Sequence, residues 1–410
     1  MVIIFLNALT LILMLGNLAL VLTKGQNTQE KPQATNKEVS TAAPFLTPEL
    51  KKLVNAWKAS SISAEQAKQA VWNTIQSDAY VLHRPSRGIL FVKTHKTASS
   101  TVTSVLHSVA TSHNLTTPVT KTIAFGIDST SSRERIMKQL TPIPGVEGGP
   151  YDIWCNHADF HPFFLRDVVP TSRGKYVSIV RDPAGRLRSA CGYFKCCPAD
   201  TWEAWADFIL ATDENNKKWQ RRGCRLNDTS KSIIGNSTYL QTKAAVDNND
   251  LLLLVTDRFT ESMLVLWGAY GLRPLDVTYM SKKERTKGME KPLSAAILEA
   301  QDRARQWQSL DTAMFDLANT KLSERMKDLF PDQSLRAKVQ QEFEELNNLV
   351  HHVCADELHN VTTGLNYWCQ EKKLDNVDWN KAHFEMLGKK WKAYKQDQGT
   401  KSKKNGKKGA

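Results

Sequence analysis

The chain runs to 410 residues with a formal net charge of +13, enough length for one large domain or two. Eight of those thirteen charges belong to residues 389–410, where nine lysines stand against Asp397 alone. A terminus rich in Lys, Gly and Ser reads as a solvated, disordered basic tail, so the charge excess excludes no more than a strongly acidic surface and gives no reason to expect a nucleic-acid partner. Loose attraction to acidic glycans or lipid headgroups is its functional alternative.

From Val2 to Leu22 only Asn7, Thr10 and Asn17 are polar. About 20 apolar residues span a hydrocarbon core of ~30 Å, so residues 1–23 are read as a transmembrane signal-anchor. A cleaved signal peptide is the alternative, weakened by the length of the run and by the lack of an Ala-x-Ala site before Lys24. No Lys or Arg precedes the run while Lys24 follows it, which opposes a cytosolic N-terminus. Four sequons, at Asn114, Asn227, Asn236 and Asn360, favour a lumenal body nonetheless. Residues 24–46, polar with scattered Ala, Pro and Thr, read as a stem. Residues 47–388 form the body.

Within that body, Thr47-Pro48-Glu49 predicts a helix start with proline in the first turn. Ser63-Ala64-Glu65-Gln66 predicts a capping box ahead of the stripe Ala67, Ala70, Val71, Trp72 and Ile75. Ile89 to Val92 reads as a buried strand, and Val102, Val105, Leu106 and Val109 recur at helical spacing. Residues 114–150 are loop-rich and long enough to lie over an acceptor. Tyr151 to Asn156 and Tyr176 to Val180 are predicted strands; the apolar run Leu251 to Val255 is expected to be a central parallel strand. Helical patterns dominate 260–270, 293–320 and 333–353. Strands separated by helices predict an α/β fold with a central parallel sheet and additional helices. Of the seven cysteines, Cys354 with Cys369 is the first expected disulfide, and Cys196 or Cys197 with Cys224 the second. The odd count leaves at least one thiol over, and the lack of a CxxC pair leaves no metal site expected.

The segment Lys93-Thr94-His95-Lys96-Thr97-Ala98-Ser99-Ser100-Thr101 lies between a strand and a helix. Such a loop holds anions because the helix N-terminus offers N–H groups and partial positive charge, to which Lys93 and Lys96 add full charges. It is not a nucleotide triphosphatase loop, because GxxxxGK[ST] is absent. At the end of the next long strand Arg181-Asp182-Pro183 turns into a helix, with Ser189 eight residues after Arg181. Arginine suits bidentate phosphate binding, and the serine can add a hydroxyl.

Together these segments resemble the 5′-phosphosulfate loop and the 3′-phosphate motif of sulfotransferases, which use 3′-phosphoadenosine 5′-phosphosulfate (PAPS). Residues 93–101 look like the donor loop of the galactose-3-O-sulfotransferase family, and Trp154-Cys155-Asn156-His157 like its Cys-Asn-His segment. Thr256 to Leu266 is similar to its strand–turn–helix ending in Glu-Ser-Leu-Val-Leu, and Arg305 to Asp311 to its Trp-Asn-x-Leu-Asp segment. The resemblance covers residues 88–326, in order. It implies a P-loop-like three-layer sulfotransferase fold. It implies PAPS held by Lys93, Thr94, Lys96, Thr97, Ala98, Ser99, Ser100 and Thr101, with Arg181 and Ser189 on the 3′-phosphate. The implied reaction is sulfate transfer to a sugar hydroxyl, the 3-OH of galactose in a glycolipid or glycoprotein glycan. The implied location is the Golgi membrane, single-pass type II with a lumenal catalytic domain, and a homodimer is kept open. Two alternatives stand beside it: a glycosaminoglycan (uronyl or hexosaminyl) O-sulfotransferase, and a non-catalytic glycan-binding pseudoenzyme.

Sulfuryl transfer resembles phosphoryl transfer in needing position and charge more than covalent chemistry. Lys96 fits the leaving phosphate. His157, just after a predicted strand separate from the loop, is the expected base; His95, inside the loop, serves as base in its place, or binds sulfate or orders the loop. One departure stands out: His157-Ala158-Asp159-Phe160 replaces the family's expected His-x-Arg-Phe, which bears on acceptor identity.

Overall fold

The computed structural model describes residues 44–77, 88–113, 115–120, 126–127, 134, 138, 140, 151–160, 169, 174–220, 224–235, 237–280, 293–355 and 364–373. The proposed anchor, most of the stem, the basic tail and the sequons at Asn114, Asn236 and Asn360 lie outside the described residues. Among those described, no helix is long and apolar enough to cross a membrane. The folded body starts earlier than expected. Phe45 and Leu46, assigned to the stem, are buried, and the Phe45 ring meets Trp267 edge-on at 5.3 Å.

Two helices open the body: α1, Pro48–Lys58, and α2, Ala64–Gln76. Thr47 caps the first, and Ser63 with Gln66 closes the expected capping box on the second. The chain then enters β1, Gly88–Val92, and α3, Ser99–Ser112. Next come four strands: β2, Gly126–Ile127; β3, Ile153–Trp154; β4, His157–Ala158; and β5, Gly174–Val180. Helices α4, Pro183–Phe194, α5, Trp202–Leu210, α6, Asp228–Ile234, and α7, Tyr239–Asp247, lead to β6, Leu251–Val255. The rest is helical: α8, Phe259–Tyr270; α9, Ala295–Trp307; α10, Ser309–Leu329; α11, Gln333–Val353; and α12, Gly364–Lys373.

Four strands pair in parallel in the order β3-β1-β5-β6. β1 and β6 are apolar and buried along nearly their whole lengths, as parallel strands between helical layers must be. The expected position of β6 needs correcting: it is an edge strand of this sheet, buried because α7, α8 and α10 pack on it. β2 and β4 form a separate parallel pair, so His157 sits within a strand rather than after one. β1 leads to β3 on one side and β5 leads to β6 on the other. The switch point therefore falls between β1 and β5, the place where α/β sheets leave a crevice at their C-terminal ends.

A second apolar cluster packs α4, α5 and α9 together around Leu187, Trp205, Ile209 and Ala300. Two disulfides lie in it, Cys191–Cys197 and Cys196–Cys224; the third, Cys354–Cys369, ties α12 to the end of α11. The expected Cys354–Cys369 pair is present, and Cys196 is the residue that takes Cys224. Cys197 instead bridges to Cys191, a pairing not anticipated. Cys155 is the free, buried cysteine, and burial pushes its thiol up to about 12.

Arg186 fastens this cluster to the rest. It is fully buried, donates to the Arg225 carbonyl at 2.9 Å and to Gln308 Oε1 at 2.6 Å, and its Nε lies 3.4 Å from Asp311 Oδ2. Gln308 also donates to the carbonyls of Pro183 and Ala304 at 3.0 and 3.1 Å, so the break between α9 and α10 is built around one arginine. Arg186→Met removes the cation from the buried Asp311 carboxylate and leaves it, among the described residues, only its bonds from Ser230, and we expect it to lower stability by about 3–5 kcal/mol, read as a lower urea midpoint.

A buried charged cluster joins α3 to α12. Burial alone raises the Asp276 carboxyl, but hydrogen bonds from His113 (2.8 Å) and Arg273 (2.8 Å) hold it well below the usual carboxylate range. Lys372 Nζ donates to the Thr278 carbonyl at 2.7 Å. Burial, opposed by Asp276 and assisted by Arg273, lowers its ammonium to about 7. An unfolded lysine titrates near about 10.4. Between these values the unfolded chain holds a proton that the folded chain lacks, so stability rises with pH. Thermal melts from pH 7 to 9 should show that rise, and Lys372→Met should flatten it.

Candidate active site

β1 ends against β5 in a register that sets Val92 beside Ser178. The loop after it, 93–98, has two non-glycine residues in the left-handed region, Lys96 at φ +63° and Ala98 at φ +57°. Such conformations persist only where the surroundings enforce them. Here hydroxyls do so. Thr94 donates to the Ile179 carbonyl at 2.8 Å, and its hydroxyl lies 2.7 Å from that of Thr97. Ser99 donates to the Thr94 carbonyl, and the Thr256 hydroxyl lies 2.8 Å from the Thr97 carbonyl and 3.0 Å from that of Val180.

These bonds revise the expected roles. The hydroxyls of Thr94, Thr97 and Ser99 stitch the loop, and all three residues are buried; Ser100 and Thr101 remain part-exposed. What the loop offers an anion is backbone N–H and lysine. Ala98 opens α3 with no side-chain cap, whereas α1, α2, α4, α5, α7, α9 and α11 each have one. The first turn of α3 therefore has no side chain of its own cap residue on its N–H groups.

Arg181 leaves β5 on the neighbouring strand end. Its Nε is buried and has no hydrogen-bond partner among the described residues. Asp182 does not serve it: that carboxylate caps α4 through the Gly185 N–H at 2.8 Å and accepts from Arg305 Nε at 2.8 Å. The guanidinium lies against α4 at Gly185, where a Cβ would stand in ordinary contact 3.4 Å from Arg181 Nε. Ser189 follows Gly185 by four residues, on the same helix face. A buried guanidinium nitrogen without an acceptor is the fit expected of a phosphate site.

The two candidate histidines are not on opposite sides. Their rings stack at 4.5 Å between centroids, tilted by 27°. His157 Nδ1 lies 3.0 Å from the Lys93 carbonyl. A carbonyl oxygen only accepts, so Nδ1 carries a hydrogen, and in the neutral ring Nε2 is then the atom with the lone pair. One hydrogen bond thus sets the tautomer a base needs. Tyr193 and Phe194, the last residues of α4, complete the group: Lys96 Nζ lies 3.8 Å from the Tyr193 ring centre, and Phe194 meets His95 edge-on at 5.9 Å. Sequence reasoning missed both aromatics, though their place between Cys191 and Cys196-Cys197 was a usable signal.

The remaining family-like segments are scaffold. Ser262 closes the turn from β6 to α8, donating to the Val255 carbonyl at 2.9 Å and accepting from its N–H at 2.8 Å. Glu261 pairs with Arg258. Gln308 and Asp311 hold Arg186. Asn227, a sequon residue, uses its side-chain oxygen to accept from Leu310 and Asp311 N–H at 3.0 and 3.1 Å, capping α10.

The sequence profile of the family described as galactose-3-O-sulfotransferase matches residues 22–375. Galactose-3-O-sulfotransferase 2 of Sus scrofa is 29% identical over 274 residues, 63% of this chain and 66% of the relative. Galactose-3-O-sulfotransferase 4 of Bos taurus is 36% identical over 150 residues, 37% of this chain and 30% of the relative. Galactosylceramide sulfotransferase of Homo sapiens is 25% identical over 245 residues, 57% of this chain and 56% of the relative. The chain thus spans just under two thirds of the length of the first relative and less of the others. No solved structure matches it. The matched span, residues 22–375, takes in most of the chain and all the residues of this site, and on that ground the chain belongs to the galactose-3-O-sulfotransferase family.

Proposed function

We propose that this chain transfers a sulfuryl group from PAPS to a sugar hydroxyl, the 3-OH of galactose in a glycolipid or glycoprotein glycan. The observation that carries the reading is the buried, unpartnered Arg181 Nε on the strand next to the lysine loop and the uncapped α3. That arrangement suits a ligand with two separated phosphates. Arg181, with Ser189, takes the 3′-phosphate. Lys93, Lys96 and the N–H groups of 97–101 take the 5′-phosphosulfate, making this loop the P-loop-like element of a three-layer fold. The donor supplies the sulfuryl group, whose bond to the phosphate oxygen breaks as a bond to the acceptor oxygen forms. Lys96 stabilises the charge that grows on the departing phosphate. His157 Nε2 takes the acceptor proton, and His95 braces its ring.

The same reading places the body in the Golgi lumen behind a type II anchor at residues 1–23, and three disulfides support an oxidising compartment. Asp159, where the family was expected to carry arginine, makes acceptor choice the first thing to measure. Labelled-donor transfer should be strongest to galactosides, with galactosylceramide, type 2 glycans and desulfated glycosaminoglycans compared. Strongest transfer to the last would make the enzyme a glycosaminoglycan sulfotransferase, and donor binding without turnover would make it a pseudoenzyme.

His157→Asn keeps a donor for the Lys93 carbonyl but removes Nε2. We expect turnover to fall at least a hundredfold while calorimetric affinity for adenosine 3′,5′-bisphosphate changes little. Arg181→Ala should do the opposite. Loss of a charged, buried phosphate contact is worth about 2 kcal/mol, roughly thirtyfold in affinity for the same nucleotide. Unchanged affinity would put the 3′-phosphate elsewhere.

A further inference from the structure

Tyr193 is an unusual residue to find at this centre. It exposes 57% of its surface, so burial is not what it provides, yet its ring face lies 3.8 Å from the Lys96 ammonium. We propose that Tyr193 is a positioning residue that holds the Lys96 ammonium at the reaction centre through its ring face, and that the disulfides Cys191–Cys197 and Cys196–Cys224 fix the ring there. The proposal rests on the sulfotransferase reading for what Lys96 does, but not for where Lys96 is held.

Lysine is a compact charge on a flexible four-carbon stem. The left-handed backbone at Lys96 aims that stem but does not order its end. An aromatic face attracts the ammonium through its quadrupole and brings no opposite charge of its own. The ring needs a rigid mount to do this. Tyr193 and Phe194 end α4, and the turn at Lys195 is left-handed, φ +54°. Cys191 precedes the pair and Cys196-Cys197 follow it, all three buried and all three disulfide-bonded. Phe194 on the same mount meets His95, which stacks on His157. One cross-linked turn therefore supports both the cation and the histidine pair.

Two measurements on the full-length chain test this, with Tyr193→Leu and Tyr193→Phe. The first is the rate at which an amine-acetylating reagent modifies Lys96, read by peptide mass spectrometry. Tyr193→Leu should raise that rate several-fold, while Tyr193→Phe, which keeps the ring face, should match the parent. The second is sulfate transfer: Tyr193→Leu should lower kcat tenfold or more with little change in acceptor KM or in melting temperature, and Tyr193→Phe should restore it. Equal labelling in all three proteins overturns the proposal, as does an equal loss of kcat in both variants, which would assign the role to the hydroxyl. If labelling follows expectation but the parent chain transfers sulfate to no acceptor, the failure belongs to the sulfotransferase reading alone.

Discussion

The parallel pairing of β1 with β5 is the constraint on which this site depends. Its register sets Val92 next to Ser178, whose hydroxyl donates to the Val92 carbonyl at 2.9 Å. Two residues further on, Thr94 donates to the Ile179 carbonyl. The lysine loop and Arg181 thus leave the sheet side by side at its switch point. A one-residue slip would carry Lys93 and Lys96 out of line with Arg181 and turn the buried apolar run of β1 over. Everything that binds here is hung on two strands of five and seven residues.

Three arginines near the start of α4 show how the fold assigns different work to one residue type. Arg186 is fully buried and surrounded by acceptors, and it holds α4 to the junction of α9 and α10. Arg188 lays its guanidinium on Trp202 at 4.1 Å, packing α4 against α5. Arg181 has a buried Nε without an acceptor among the described residues, and what sets it apart is that the carboxylate beside it, Asp182, is engaged by Gly185 and Arg305. A buried polar nitrogen without a partner is costly, and Arg181 Nε is such a group on a side chain that is otherwise part-exposed.

The second apolar cluster gives the mobile chemistry a stiff boundary. Its disulfides sit in α4 and the turn after it, so the aromatic pair at the end of α4 is fixed relative to the strand end it came from. The stacked histidines and Lys96 touch that pair from the loop side. The loop is thereby enclosed between hydrogen bonds to the sheet and ring contacts to α4.

Much of this was determined locally and so was legible in the sequence. The strand–loop–helix over 88–113 follows from a short apolar run, a hydroxyl-rich loop and 3.6-residue periodicity. Caps at Thr47 and Ser63 follow from side chains reaching N–H groups two or three residues away. The Cys354–Cys369 bridge follows from a short span between two cysteines in a secretory-type chain. What tertiary structure decided was which of these residues meet. The edge position of β6 depends on strand order, which a hydrophobic run does not encode. The residues Thr94, Thr97 and Ser99 were expected at the donor, and only the folded loop shows their hydroxyls spent on the Ile179 carbonyl and on one another's loop atoms. His95 and His157 are 62 positions apart, and no local signal says that β4 lays one ring on the other. The Lys93 carbonyl that fixes the His157 tautomer is invisible to composition, because backbone oxygens carry no sequence. Side-chain chemistry was written in the chain; the partner that gives each group its role came only from long-range packing.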